Sequence, residues 1–378
     1  MSLSSKVRTT LRWLPSYVWQ RAVRRVPRGR VHLIIAVADH FEPAIVPRHG
    51  PERASRDEQE RRLNHWCQEY PRSVDPWRDA DGYPFRHTYF YPAEQCDQGL
   101  LAQLADHCRQ GWGEVEIHLH HGLEAPDSSE NTRRVLIEFR DWLAAQGCLS
   151  RWNGDGSARY AFVHGNFALA NSAQGRYCGV DDEMQILSET GCYADLTLPS
   201  APFISQTAKV NSLYECGLPL DHRAPHRRGD DLQCGRAPAV FPLIVQGPLV
   251  VDLRRRKAGR PAPSFDNSQL TGRQPPTLKR LRLWQRAAIS VRGRLDWIFI
   301  KLHCHGMDPR DEDAMLGEPH QRFLRDLAEN SRAGGVVPHF VTAREMVNIA
   351  LAACDGRDGN PGDYRDYRLR LIGKTGAA

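Results

Sequence analysis

The sequence predicts an α/β protein in which a mainly parallel sheet closes into a barrel, as a single large domain with irregular insertions at the rim. Three observations support this prediction. Short apolar runs recur along the 378 residues, several are followed by amphipathic segments of helical length, and no G-x-G-x-x-G motif is present. Seven or eight such units without that motif favour a barrel over an open dinucleotide-binding sheet.

The strands are predicted from short runs rich in apolar, β-branched and aromatic residues. The first is a nearly continuous apolar run that begins at Val31. The predicted strands are 31–38, 86–91, 114–120, 159–164, 193–198, 240–245, 249–253, 296–303 and 336–340.

The helices are predicted from amphipathic segments that follow several of these runs. In one of them, Asp127 or Ser128 is a suitable N-cap and Gly147 a suitable stop. The predicted helices are 52–69, 96–110, 128–146, 181–190, 275–291, 312–330 and 342–354.

Regions of different composition predict how the chain is divided. We expect a basic helical segment at 1–29, the barrel at 30–355 and a C-terminal tail at 356–378. The stretch 200–240, rich in Pro, Gly, Arg and His, is interpreted as an excursion over one rim of the barrel, and 254–275 as a basic loop.

The composition excludes several classes of protein. A hydrophobic content of 41% and a charged content of 25% are ordinary for a globular protein, and exclude a disordered chain, a collagen-like fibre and a coiled-coil rod. No stretch approaches the roughly 18–20 apolar residues that span a bilayer, so an integral membrane protein is not expected.

The net charge of +6 is unevenly distributed. Residues 1–38 contain eight Lys or Arg and no acid, and residues 253–294 contain twelve and one acid. The remaining residues carry 31 basic and 44 acidic side chains, so the body of the protein is acidic and a nucleic-acid partner is not expected. The N-terminal helix could contact an anionic membrane surface peripherally, or pack on the domain.

The ten cysteines form no C-x-x-C pair, which argues against a zinc ribbon or a redox motif and suits a reducing compartment. The N-terminus lacks the continuous apolar core of a secretory signal, because Arg12, Ser16, Gln20 and Arg21 interrupt it. We therefore expect a cytoplasmic protein, with peripheral contact at the inner membrane surface as the alternative.

Polar side chains collect where the predicted strands end. In a parallel barrel these points meet at one face, where functional residues lie. Seven histidines and two aspartates would converge there, which packing alone does not explain. The residues at these points are Asp39, His40 and Glu42; His118, His120 and His121; His164 and Asn166; Asp195; and His303 and His305.

This set predicts metal-assisted hydrolysis. Imidazole and carboxylate ligands suit zinc, manganese or iron, and three protein ligands leave a position for a nucleophilic water. His118 and His120 are two residues apart, so on a strand they point to the same side, and we expect them to face Asp39.

Proton-transfer groups are also needed. Asp39 is the predicted general base, with His40 or Glu42 completing the ligand set, although these roles could be exchanged. His303 is the predicted acid for the leaving group, because imidazole titrates near neutral pH. Cys304 would point away from His303, so it is a poorer nucleophile candidate.

At these motifs the chain resembles the glycoside hydrolase/deacetylase superfamily and, within it, the polysaccharide deacetylases. That family has an aspartate motif ending the first strand, a histidine motif, a groove loop, a second aspartate strand and a late leucine-x-histidine. Stretches 162–171, 179–200 and 338–349 further resemble an uncharacterised bacterial branch of the superfamily. The motif positions here are 39–42, 118–121, 164–167, 195–197 and 302–304.

The resemblance implies a distorted seven-stranded (β/α)7-type barrel and one divalent metal ion, with zinc the first choice and manganese, iron or cobalt the alternatives. It implies removal of N- or O-acetyl groups from a polysaccharide or glycan precursor. Asp39 then matches the base and His303 the acid. His118 matches a metal-ligand position, and His120 or His121 and His40 or Glu42 are the further candidate ligands. The candidate substrate-binding residues are His164, Asn166, Asp195 and His305.

Three departures from the family pattern are evident. His40 stands where a metal-binding aspartate is usual, and Gly122 stands where the second histidine of the motif is usual, so His120 or His121 must substitute. The arginine-x-proline-tyrosine groove motif is not evident, and 164–166 stands in its region. A glycosidase or amidohydrolase on the same barrel, and a non-catalytic glycan-binding or assembly protein, are the alternatives.

Overall fold

The computed structural model describes residues 3–47, 52–257 and 260–373. The helices are α1 (Leu3–Val23), α2 (Arg56–Val74), α3 (Gln98–His107), α4 (Ser129–Ala145), α5 (Glu183–Glu189), α6 (Leu278–Gln285), α7 (Glu318–Arg332) and α8 (Ala343–Cys354). The strands are β1 (His32–His40), β2 (His87–Pro92), β3 (Gly113–Leu119), β4 (Ser150–Trp152), β5 (Tyr160–His164), β6 (Cys192–Asp195), β7 (Leu213–Glu215), β8 (Leu243–Val245), β9 (Val250–Asp252), β10 (Arg256–Lys257), β11 (Arg260–Pro261), β12 (Ser264–Asp266), β13 (Trp297–Cys304), β14 (Val337–Phe340) and β15 (Leu369–Leu371).

The central sheet has nine strands in the order β13-β1-β2-β3-β5-β6-β8-β7, with β14 also paired to β1. Its pairings are parallel except the antiparallel pair β7–β8. The first half of β1 pairs with β14 and the second half with β2. The predicted mixed α/β single domain with a mainly parallel sheet is thus confirmed.

The elements form where the sequence pattern places them. Each of the nine predicted strands overlaps an observed strand, because apolar runs of this length are stable when both faces are covered. Ser128 caps α4, with its hydroxyl accepting a hydrogen bond from the backbone N–H of Asn131. At α8, Thr342 and Glu345 form a capping box.

Helix α1 packs on the domain, which was the second of its two predicted placements. Trp13 is buried in a small cluster with Ala201, Val210 and Leu249. The outer side of α1 keeps apolar side chains exposed, Trp19 among them. The N-terminal segment is therefore anchored by one face and leaves the other uncovered.

The C-terminal segment forms part of the fold as far as residue 373, rather than the predicted tail. Strand β15 pairs antiparallel with β4. Arg344 of α8 is fully buried, and its guanidinium donates to the carboxylate of Glu114 at 2.7 Å, to Asp366 at 2.6 Å and to the carbonyl of Leu369 at 2.8 Å. One buried cation therefore joins the sheet, α8 and the chain terminus.

The two regions interpreted as rim insertions are mostly irregular. Residues 200–240 contribute the short strand β7 and one 3-10 turn at Pro225–Arg227, and residues 254–275 contribute the hairpin β10–β11 and the strand β12. Both segments come between β6 and β13 in the sequence, and both are mostly loop.

Among the described residues, none of the helices has both the length and the apolar character required to cross a lipid bilayer.

Candidate metal centre

Four histidines and one glutamate meet at the carboxyl ends of β1, β3 and β13. His40 is the last residue of β1 and Glu42 follows it, His118 and His120 belong to the end of β3, and His305 follows β13. The parallel pairing of these strands with one another or with β2 brings their ends to the same edge of the sheet. The predicted convergence of strand ends is therefore observed for these five residues.

Glu42 lies at the centre of this group, which we call the Glu42 cluster. Its Oε1 atom lies 3.5 Å from Nε2 of His118, 3.8 Å from Nε2 of His120 and 4.0 Å from Nε2 of His305. The ring of His40 lies 4.8 Å from the rings of both His118 and His305, measured between centroids. Two sets of three residues share Glu42, one with His118 and His120 and the other with His40 and His305. Within each set the ligand atoms lie within 4.8 Å of one another, so either set could hold a metal ion.

The orientation of His118 is fixed by a hydrogen bond to the backbone. Its Nδ1–H donates to the carbonyl oxygen of Val163 at 2.7 Å, so Nε2 carries the lone pair. That Nε2 is buried, has no hydrogen-bond partner among the described residues, and faces Glu42 Oε1. Two electron-rich atoms facing each other in a buried site require a cation or a proton between them.

His120 is oriented in the same way by a carboxylate. Its Nδ1–H donates to Oε1 of Glu94 at 2.8 Å, and its backbone N–H donates to Oε2 at 3.2 Å. A carboxylate behind the far nitrogen of a histidine is the usual second layer of a metal site. Glu94 follows the end of β2, and applying the strand-end argument to that strand would have found it.

The electrostatics of the cluster favour a neutral His40 and an ionised Glu42. For His120, burial alone would lower the pKa, but the carboxylates of Glu94 and Glu42 outweigh burial and raise it. Burial and the neighbouring His118 hold the pKa of His40 well below its usual range. Burial alone would raise the pKa of Glu42, but its contact with His118 and the nearby His120 and His305 lower it to about 2. Neutral imidazole and ionised carboxylate are the forms that bind metal ions.

The structure corrects the expectation that Asp39 faces the His118–His120 pair. Neighbouring residues of a strand point to opposite faces, so Asp39 points away from His40. Its Oδ2 accepts from Nδ1–H of His87 at 3.0 Å and its Oδ1 accepts from the backbone N–H of Gly306 at 2.7 Å. Asp39 is thus placed to hold the turn that carries His305.

His121 and His164 lie outside the Glu42 cluster, contrary to the predicted ligand role of His121 in it. The side chain of His121 turns to Asp127 and Glu183, and its Nε2 lies 3.0 Å from Nε2 of His164. The two residues belong to a separate buried group with Cys178. The sequence pattern does not reveal this group, because Cys178 and Glu183 follow no strand end.

Asp195 and Asn166 are also apart from the Glu42 cluster. Asn166 is exposed. Asp195 is buried and accepts a hydrogen bond from the hydroxyl of Thr197 at 2.7 Å. Burial raises the pKa of Asp195 to about 7, and burial lowers the pKa of Lys301, whose charge acts on Asp195, to about 7. Asp195 therefore supports the end of β6, and its contact with a substrate stays a prediction.

His303 is buried beside the Glu42 cluster. Its ring lies 6.4 Å from that of His40 and 6.3 Å from that of Phe167, and its Nδ1 has no hydrogen-bond partner among the described residues. Burial and the charge of Lys301 hold its pKa well below the usual range. His303 is therefore neutral at neutral pH.

An aromatic pair and a cleft lie beside the Glu42 cluster. Phe167 is partly exposed and stacks on the exposed Phe203, with ring centroids 5.4 Å apart. Beside His120, a cleft of about 500 Å³ extends towards α4 and is lined by Glu94, Trp142 and other residues. A cleft of this size can hold a small ligand.

A scan against models of known protein families finds no match, and a search of curated proteins finds none either. The function is therefore inferred from the chemistry of the Glu42 cluster.

Replacing Glu94 by Ala is expected to lower the affinity of the Glu42 cluster for a divalent metal by about 10–100-fold, because His120 loses the carboxylate that orients it. Competition with a fluorescent zinc chelator measures this affinity. The matched control is Glu138→Ala, since Glu138 lines the same cleft but is exposed and pairs with Arg134 on its own helix. Equal affinities in the two variants would show that Glu94 does not support the site.

Proposed function

We propose that the chain is a metal-dependent hydrolase that removes N- or O-acetyl groups from a carbohydrate. The observation that carries this proposal is the buried Nε2 of His118, whose lone pair faces the carboxylate of Glu42 at 3.5 Å. A divalent cation satisfies both atoms, whereas a hydrogen bond between them would require a proton on Nε2 in addition to the one on Nδ1.

The residues that would hold the ion are His118, His120 and Glu42, with His40 or His305 as the remaining ligand. Their nitrogen and oxygen atoms suit zinc first, and manganese, iron or cobalt as alternatives. When bound, such an ion polarises a carbonyl oxygen and makes water more acidic.

His303 is the proposed proton-transfer residue. It is neutral, it lies beside His40 and it has an unpartnered ring nitrogen. A neutral imidazole can accept the proton of the attacking water and then donate it to the leaving amine or alcohol. One residue would thereby perform both steps that the sequence assigned separately to Asp39 and His303.

A carbohydrate substrate is supported by the surfaces around the site. The stacked pair Phe167 and Phe203 offers an aromatic face of the kind on which sugar rings pack, and the cleft beside His120 adds Trp142 and polar side chains. The resemblance to polysaccharide deacetylases points to the same substrate class. An acetylated glycan or glycan precursor fits both observations.

The distorted barrel is the proposed overall form of the sheet. Lys301 of β13 donates its Nζ–H to the carbonyl of Leu196, which follows β6, at 2.8 Å. Gly247, which follows β8, lies so close to β13 that a Cβ there would be 2.3 Å from the carbonyl oxygen of Lys301. β13 stands at one end of the strand order, and β6 and β8 stand near the other end. Contacts between these two ends of the sheet support its closure into a barrel.

A glycosidase is less well supported. Such an enzyme needs two carboxylates on either side of a sugar-sized gap. Asp39 lies on the opposite face of β1, and Asp195 is buried against Thr197. Of Asp39, Glu42 and Asp195, only Glu42 belongs to the Glu42 cluster.

Acetate release from acetylated chito- and xylo-oligosaccharides tests the proposal, using wild-type protein loaded with zinc. In the variant His303→Gln, kcat is expected to fall by about 10²–10⁴-fold while the metal content stays the same. The control is His320→Gln, which replaces a buried histidine of α7 and is expected to leave kcat unchanged. Metal-loaded protein that releases no acetate would contradict deacetylation, and an unchanged kcat in His303→Gln would contradict the role of His303.

A further inference from the structure

A second group of metal-type ligands lies next to the Glu42 cluster and plays no part in the proposed hydrolysis. It consists of His121, His164, Cys178 and Glu183, all of them buried, and we call it the Cys178 cluster. One ligand atom from each residue lies within 4.8 Å of the corresponding atom of every other. Two imidazoles, a thiol and a carboxylate thus converge on one point inside the protein.

The distances within the Cys178 cluster lie within a few tenths of an ångström of those in a tetrahedral metal site. Nε2 of His121 lies 3.0 Å from Nε2 of His164 and 3.0 Å from Oε1 of Glu183. Nε2 of His164 lies 3.6 Å from the same oxygen, and Sγ of Cys178 lies 3.6 Å from Oε2 of Glu183. Zinc bonds of about 2.0–2.3 Å in a tetrahedron place neighbouring ligand atoms roughly 3.3–3.6 Å apart.

Outer hydrogen bonds turn both histidines towards this point. His121 donates its Nδ1–H to Oδ2 of Asp127 at 2.9 Å, and His164 is paired through Nδ1 with the carbonyl of Gly165. Asp127 is itself held by the hydroxyl of Thr132 at 2.9 Å. The two Nε2 atoms therefore present lone pairs to each other, as the first ligands of a metal do when a second layer fixes their far nitrogens.

The sulfur of Cys178 is prepared for the same role. The backbone N–H groups of Asn171 and Val180 point at Sγ, with nitrogen–sulfur distances of 3.3 and 3.4 Å. Burial and the charge of Glu183 raise the pKa of the Cys178 thiol. The hydrogen bonds to sulfur act in the opposite direction, and a metal ion bound at this point would favour the thiolate, which is the form that binds metal. These two donors come from the segment that the cluster would hold in place.

We propose that the Cys178 cluster is a structural zinc site. A thiolate with two imidazoles selects zinc among the common divalent ions, and four protein ligands leave no open position for a substrate. The Glu42 cluster differs on both points, since it has no sulfur and its His305 is partly exposed.

The ion would fasten an irregular segment to the sheet. Between residues 165 and 180, six residues other than glycine have positive φ: Asn166, Phe167, Ala170, Asn171, Gln174 and Tyr177. Backbone of this kind persists only when its surroundings hold it firmly. Zinc bound between β3, β5 and α5 provides such a hold and fixes Phe167 at the opening of the candidate site.

The competing occupant of the Cys178 cluster is a proton. A doubly protonated His121 between Asp127 and Glu183 would also satisfy the buried carboxylates, and no metal would then bind. Metal content and the ligand spectrum of the ion distinguish the two occupants. Neither readout depends on hydrolase activity, so this inference and the proposed function can fail separately.

Zinc content is measured in a variant that lacks two ligands of the Glu42 cluster, His118→Ala with His120→Ala. After dialysis against EDTA, one zinc per chain is expected to remain. Adding Cys178→Ser is expected to remove it, and adding Cys192→Ser, a buried cysteine elsewhere, is expected to leave it in place. A folded double variant without zinc, or retention of zinc with Cys178→Ser, would overturn the proposal.

Cobalt substitution of wild-type protein tests the same ligand set without relying on the folding of any variant. Zinc is removed under conditions that preserve the circular dichroism spectrum, and cobalt is added in steps. A thiolate-to-cobalt charge-transfer band that saturates at one cobalt per chain is expected. If folded protein takes up cobalt but shows no charge-transfer band, cobalt has not bound to Cys178. That result would overturn the proposal.

Discussion

Hydrolysis of acetylated oligosaccharide is expected to fall by about 10³-fold in His118→Ala, together with the loss of metal from the Glu42 cluster. His118 is oriented towards the metal position, because Val163 holds its Nδ1–H and its buried Nε2 has no hydrogen-bond partner among the described residues. Loss of the ion removes roughly 4 kcal/mol of transition-state stabilisation, which corresponds to that factor. Acetate release and metal analysis on the same preparation measure both effects.

The matched control for this experiment is His320→Ala, which removes a buried histidine from α7. Metal content and kcat are expected to stay at the wild-type level in the control even if its stability falls. A His118→Ala protein that is folded and keeps both its metal and its rate would contradict the assignment of His118 as a ligand.

The second large effect concerns the stability of the fold. Arg344→Met is expected to lower the free energy of unfolding by about 3–5 kcal/mol, because Glu114 would be left as a buried carboxylate without its cation. Asp366 and the carbonyl of Leu369 would each lose one hydrogen bond as well. Urea titration followed by circular dichroism gives the change in unfolding free energy.

Two further variants test whether the loss of the Arg344–Glu114 ion pair causes the fall in the free energy of unfolding. Arg370→Met changes an exposed arginine of β15, and its effect is expected to stay within about 0.5 kcal/mol. Adding Glu114→Leu to Arg344→Met removes the orphaned carboxylate and is expected to recover part of the loss. If the double variant is no more stable than Arg344→Met, the unpaired charge is not the source of the destabilisation.

The order of strands and helices is predictable from the sequence, whereas the shortest strands are not. The apolar run that predicts 31–38 becomes β1 at His32–His40, since such a run is stable only where it is covered on both sides. Strands β4 and β15 have three residues each, too few for a recognisable period, and they exist because each pairs with the other.

The edge of the sheet that carries the site is predictable, but the face on which each side chain lies is not. Every residue of β1 after His32 is buried, so both faces of the strand are covered. The sequence therefore shows no alternation of polar and apolar residues that would reveal which face carries Asp39 and which carries His40. Asp39 and His40 look equivalent in the sequence, but they lie on opposite faces of β1. The same difficulty applies to His120 and His121, which enter different clusters.

The remaining site residues depend on loops that have no periodic pattern. Glu94 follows β2 within a short turn, and Cys178 comes from the irregular segment before α5. Their partners become evident only when the chain is folded, because the contacts join positions that are distant in sequence. His120 pairs with Glu94 across 26 residues, and His121 meets Glu183 across 62.

The most direct test of the metal centre is an anomalous difference map from crystals of zinc-loaded protein, with data collected on both sides of the zinc absorption edge. We predict a peak within bonding distance of Nε2 of His118, Nε2 of His120 and a carboxylate oxygen of Glu42. A map without a peak among these three atoms, at a zinc concentration that saturates binding in solution, would contradict the metal centre on which the proposed function rests.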